Sequence, residues 1–112
     1  MDIKKIKSEI LELCSEDAYG SWELWWNGSF GIPSSKIDDF RKDFIDIVES
    51  LVKEEKLIPF HHKDIGGSYI KVPFERLRLE FETEHSSPPD PDTYYWFEAT
   101  EDGKKEDMAL RS

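Results

Sequence analysis

Residues 34–55 read SSKIDDFRKDFIDIVESLVKEE, and this stretch decides the fold. Ile37, Phe40, Phe44, Ile47, Val48, Leu51 and Val52 recur at spacings of three and four, the period of one helix face. Ser34 or Ser35 can cap the start, and Asp38 and Asp39 sit in the first turn, where the helix dipole favours anions. Arg41, Lys42, Asp43, Asp46, Glu49 and Lys53 fall between the apolar positions and make a solvent face. The pattern predicts a helix over about residues 35–55 that carries the core, with Phe40, Phe44, Val48 and Leu51 buried.

On the N-terminal side, residues 27–35 (NGSFGIPSS) are turn formers and read as a loop. Ser21 to Asn27 reads as a short helix, capped by Ser21 and closed by Gly28. Ile3, Ile6, Ile10 and Leu13 mark a first helix over about residues 2–15, with Asp2 as its cap. On the C-terminal side, LIPFHH (57–62) and SYIKV (68–72) flank Gly66 and Gly67, which predicts a hairpin. Pro59 lacks an N–H and confines its strand to an edge. Over residues 74–85, Phe74, Leu77 and Phe81 fit a helix with Pro73 at its start, while Leu77, Leu79 and Phe81 also alternate as a strand would; helix is the preferred reading. HSSPPDPD (85–92) is a loop, TYYWFEA (93–99) has strand propensity, and Thr100 opens a turn or a final short helix. The order places the chain in the α+β class, as a single domain over residues 1–112. Its expected core is winged-helix-like, three helices and a β-hairpin, with an added C-terminal strand segment.

Composition bounds the chemistry. The chain has 112 residues, 13 % aromatic content and one cysteine, Cys14. That aromatic content argues against disorder, and a lone cysteine cannot form an internal disulfide. No apolar run approaches the roughly 20 residues of a membrane span, and no apolar stretch follows the N-terminal lysines as in a secretory signal. A cytoplasmic location and no membrane partner are the expectations. The net charge is −10, and residues 80–107 hold ten acidic side chains against two lysines. Such a field keeps a protein dissolved, repels phosphate backbones and attracts basic protein surfaces. The long helix is itself net acidic, so it is a poor reader of a DNA groove, and no nucleic-acid partner is expected.

Catalytic and metal chemistry find little support in these residues. His61, His62 and Asp64 look like half a metal site, but neighbouring strand residues point to opposite faces, and His85 and Cys14 are the remaining His and Cys. Cys14 lies beside Glu12, Glu16 and Asp17, which disfavour a thiolate. A non-enzyme with no cofactor and no metal follows. The aromatic residues carry more information. Trp22 and Trp26 share one helix face, with Trp25 adjacent. In Tyr94, Tyr95, Trp96 and Phe97, alternate residues of a strand face opposite ways, so one pair packs inward and the other needs a cover. Tyr94, Tyr95 and Trp96, ringed by Glu80, Glu82, Glu84, Asp90, Asp92 and Glu98, form the candidate partner-binding set.

AYGSWELWWNGSF (18–30), the long helix leading to Leu57, Ile58 and Pro59, and YYWFEATEDGK (94–104) together resemble an uncharacterised family of small acidic bacterial proteins. Some members lie beside genes for contact-dependent or polymorphic toxins, where small acidic proteins serve as immunity partners. The resemblance implies a cytoplasmic protein that binds a cognate toxin, and it carries no functional residues across. The expected function is therefore a non-catalytic protein-binding module, an immunity protein whose partner has a basic surface, such as a toxin nuclease domain. The alternative is a winged-helix-like adaptor or transcription-associated regulator without a toxin partner. From the histidine spacing, purified protein should hold no stoichiometric zinc, and a chelator should leave its melting temperature unchanged. A chelator-induced drop would restore His61, His62 and Asp64 as ligands.

Overall fold

The apolar stripe of residues 37–52 becomes α3 (Ile37–Lys53), entered through one 3-10 turn (Ser34–Lys36). The structure is a computed structural model and describes residues 3–61, 74–82 and 95–111. Neither serine caps α3: Lys36 holds the cap position without a side-chain bond, because the serines are used in the 3-10 turn. Phe40, Phe44, Val48 and Leu51 are buried, as the period requires, with Phe44 at 0 % exposure. Ile45 lies off the expected stripe yet is buried, because α4 (Phe74–Glu82) covers a second flank of α3. For residues 74–82 the helical period therefore prevails over strand alternation.

Two helices precede α3. In α1 (Ile3–Glu16), Ile6, Ile10, Leu11 and Cys14 are buried, an arc wider than the expected stripe. The reason is two-sided packing, against α3 and against α5 (Glu101–Arg111). α2 (Ser21–Ser29) runs through Gly28 instead of stopping there. A Cβ on Gly28 would stand 2.7 Å from Cε2 of Phe44, so this glycine admits the ring rather than ending the helix. Nor does Ser21 cap α2, since Gly20 occupies that position.

The chain is an α+β protein: these helices pack on an antiparallel sheet of β1 (Tyr19–Gly20), β2 (Leu57–His61) and β3 (Tyr95–Ala99), in the order β1-β3-β2. Register pairs Tyr19 with Phe97, Pro59 with Phe97, and Phe60 with Trp96. Pro59 sits on an edge strand of the described sheet, where its missing N–H is tolerated. The expected hairpin of 57–62 with 68–72 has only its first strand, β2, among the described residues. The described partner of β2 is β3, so the strand taken as a C-terminal addition is the centre of the sheet. The run 68–72 and the Gly66–Gly67 turn lie outside the described residues.

One joint ties the end of α3 to the start of α5. Glu55 turns left-handed, with φ 59°, and the α3 terminus closes through Glu55 N–H to Val52 O (3.1 Å) and Lys56 N–H to Leu51 O (2.8 Å). Thr100 then docks on this turn: its Oγ1 donates to Glu55 O (2.7 Å), and its N–H donates to Lys56 O (3.1 Å). The same hydroxyl oxygen accepts from Gly103 N–H (3.0 Å) and so caps α5. A Cβ on Gly103 would collide with the Lys56 carbonyl oxygen, so the joint needs a glycine at that position. Glutamate is a poor occupant of the left-handed position, where a Cβ meets the carbonyl. Glu55→Gly should raise stability by about 1 kcal/mol in urea unfolding, relief of strain outweighing the entropy of glycine. Destabilisation would mean that the Glu55 side chain holds the turn.

Candidate interaction surface

β3 divides its aromatic residues by alternation. Phe97 and Ala99 are buried in the core, and Tyr95 packs partly buried against it. Trp96 and Glu98 occupy the opposite face and are half-buried. The inward pair is thus Tyr95 and Phe97. Trp96 stands beside Phe60, itself only 3 % exposed, so its face is not bare. Tyr94 lies outside the described residues, as do Glu84, Asp90 and Asp92.

The remaining acids of the candidate set do not form one rim. Glu80 works inside the fold: its Oε1 accepts from Ser21 Oγ (2.7 Å) and from Tyr95 N–H (2.8 Å), joining α4 to α2 and β3. This explains why Ser21 leaves its capping position unused. Glu82 is exposed at the end of α4, where its carbonyl and that of Phe81 accept from Arg41 Nη1, each at 3.3 Å. Other acids of the C-terminal third are also engaged internally. Glu106 pairs with Lys7 (2.6 Å) and Lys56 (3.0 Å), and Asp107 is buried. Hydrogen bonds from Lys7 and then Lys56 hold the Glu106 carboxyl below the usual range, and Glu106 in turn raises Lys56. Glu101 and Asp102 remain exposed at the start of α5, where the dipole favours them.

The large exposed aromatic residues are elsewhere. Trp22 and Trp26 stack at 5.6 Å with planes 12° apart, and Trp26 is 58 % exposed. Phe30, just beyond α2, is 81 % exposed. Trp25 points inward, against Phe40 and Phe44, with the Arg41 guanidinium 4.7 Å over its ring. The i, i+4 spacing separates Trp22 and Trp26 from Trp25 in the sequence, but only packing shows which face is outside. Phe30 sits in a turn-rich loop and gives no periodic signal. Beside it, a cleft of about 420 Å³ runs between α1 and α2, lined by Ile6, Ile10, Leu13 and Leu24 with Glu9 and Glu12.

Burial pushes the Cys14 thiol up to about 12, with the Glu98 charge adding to the effect, so a thiolate nucleophile is disfavoured. Among the described residues no three His, Cys, Asp or Glu side chains group as metal ligands; His62, Asp64 and His85 lie outside them. None of the described helices is long and apolar enough to cross a membrane. No family model, no curated protein and no solved structure matches this chain.

Placement of Glu80 makes it a structural acceptor. Glu80→Ala leaves two part-buried donors without that acceptor and should cost about 2 kcal/mol in urea unfolding, whereas Glu80→Gln keeps an acceptor oxygen and should recover most of it. Equal stability of all three proteins would return Glu80 to the surface set.

Proposed function

We propose that this chain is a non-catalytic protein-binding module whose partner presents a basic surface, acting as an immunity-type inhibitor of a basic bacterial toxin domain in the cytoplasm. The observation that carries the binding role is the pairing of exposed large aromatics, Trp26 and Phe30, with a net charge of −10. Exposed aromatic side chains supply the anchoring energy of interfaces, and charge supplies steering and selects a basic partner. The toxin role rests on the resemblance of residues 18–30 and 94–104. A nuclease toxin keeps a positive cleft for phosphate, and an acidic protein complements that same field. The inert environment of Cys14 accords with a binding role rather than a covalent one.

A second reading has a specific observation behind it. Among the described elements, the succession α1, β1, α2, α3, β2, β3 with sheet order β1-β3-β2 resembles that of a winged-helix domain, with α4 between the last two of these strands. An adaptor or regulator would fit that topology. In such a domain α3 would be the helix offered to DNA. Its outer face is acidic, and Arg78 of α4 already takes Asp46 (3.0 Å) and Glu49 (3.5 Å), which disfavours a DNA role.

A pull-down from the native host, read by mass spectrometry, should recover a partner of basic isoelectric point. Rebinding of the purified pair should show an association rate that falls as salt rises, since screening weakens steering. Recovery of nucleic acid instead, or an association indifferent to salt, defeats this reading.

A further inference from the structure

The α1–α2 side of the molecule combines three features that the function above does not use together. The first is charge. Residues 8–35 contain five acidic side chains, Glu9, Glu12, Glu16, Asp17 and Glu23, and no lysine, arginine or histidine. Lys7, at the margin of this stretch, is directed to Glu106 instead. The second is shape. The cleft between the two helices runs from Ile6 to Leu13, seven residue rises along α1 and so roughly 10 Å, or two helical turns. Its inner wall is apolar, its α1 margin carries Glu9 and Glu12, and no basic residue lines it among the described residues. The third is Phe30, which lines the same cleft while 81 % of its surface remains exposed. A ring so placed gains nothing for the fold and is available to be covered.

Resting on the reading of the chain as a binder of basic proteins, we propose that the α1–α2 cleft is the docking site for one amphipathic basic helix of the partner. Apolar side chains at i, i+3 or i+4, and i+7 span the two turns that the cleft offers and pack on Leu13 and Phe30. Lysines or arginines flanking them meet Glu9 and Glu12. A second copy of this chain is the poorer occupant, since each copy carries −10 and would bring more negative charge to an acidic rim.

The probe is a synthetic peptide of on the order of 14 residues, about four turns, with leucines on one helical face and lysines elsewhere. A second peptide has the same composition scrambled so that no apolar face exists. Titrated into the intact, isotope-labelled protein, the amphipathic peptide should shift amide resonances of residues 6–13 and 24–30. It should bind at least about tenfold more tightly than the scrambled peptide. Phe30→Ser should weaken it by about tenfold or more while leaving the melting temperature unchanged, and Glu9→Lys with Glu12→Lys should weaken it further. Equal affinity for the two peptides, no binding, or indifference to Phe30→Ser overturns the cleft assignment. So does a set of shifts confined to residues 95–111, but that outcome leaves the basic-partner reading standing. The reading itself fails separately, if the purified host partner proves not to be basic.

Discussion

A single line of aromatic rings holds the helices to the sheet. Trp25 meets Phe44 edge-on at 5.5 Å, Phe44 meets Phe81 at 5.5 Å, and Phe81 lies 6.0 Å from Phe97. These rings belong in turn to α2, α3, α4 and β3, so the contact series joins three helices to the sheet. Phe44 is its hub, and it can reach that position because Gly28 of α2 has no side chain in the way. Edge-to-face contacts of this kind add to the burial energy of each ring and constrain orientation as well as distance. The core combines this line of rings with the aliphatic residues of α1 and α3 packed around it.

Two polar joints complete what the rings begin. Glu80 receives Ser21 and the Tyr95 amide on one oxygen, which positions the start of β3 against the ends of α2 and α4. At the other end of β3, Thr100 locks onto the carbonyls of Glu55 and Lys56 and starts α5. Both ends of the central strand are thus held by side-chain hydrogen bonds to elements that arrive from elsewhere. α5 is held to α1 as well through Lys7 and Glu106, and Glu106 extends that contact to Lys56. Two of the acids after residue 79, Glu80 and Glu106, are consequently used for assembly.

That use changes where recognition has to be sought. A run of aromatics among acids in one stretch of sequence suggested a surface, yet Phe97 is core, Tyr95 leans on it, and Glu80, Glu106 and Asp107 are engaged or buried. The stretch 8–35 contributes fewer charges, and it contains no lysine, arginine or histidine. It also presents Trp26 and Phe30 to solvent. Interface energy follows exposed apolar anchors, and charge without such anchors contributes mostly to encounter. On that criterion the α1–α2 side is the stronger candidate for the proposed binding surface.

The sequence by itself determined the helices, because a 3.6-residue period over α1 and α3 survives any choice of packing partner. It determined the edge position of Pro59 among the described strands, because a residue without an N–H cannot serve a central ladder, and it determined strand character around residues 95–99. Periodicity also settled which face of α3 carries Phe44, but it did not reveal Ile45, whose burial requires α4 on a second flank. The pairing of β2 with β3 was not legible, since strand propensity is local while a register is a contact between distant segments. The roles of Ser21 and Gly28 were misread for the same reason: a serine before a helix and a glycine after one match the local rules for caps, but Glu80 and Phe44 claimed them. The candidate surface was legible only as a composition of acids and aromatics. Which acids are answered by lysines, and which rings face water, was decided by tertiary structure, because burial belongs to the packed whole and not to any one segment.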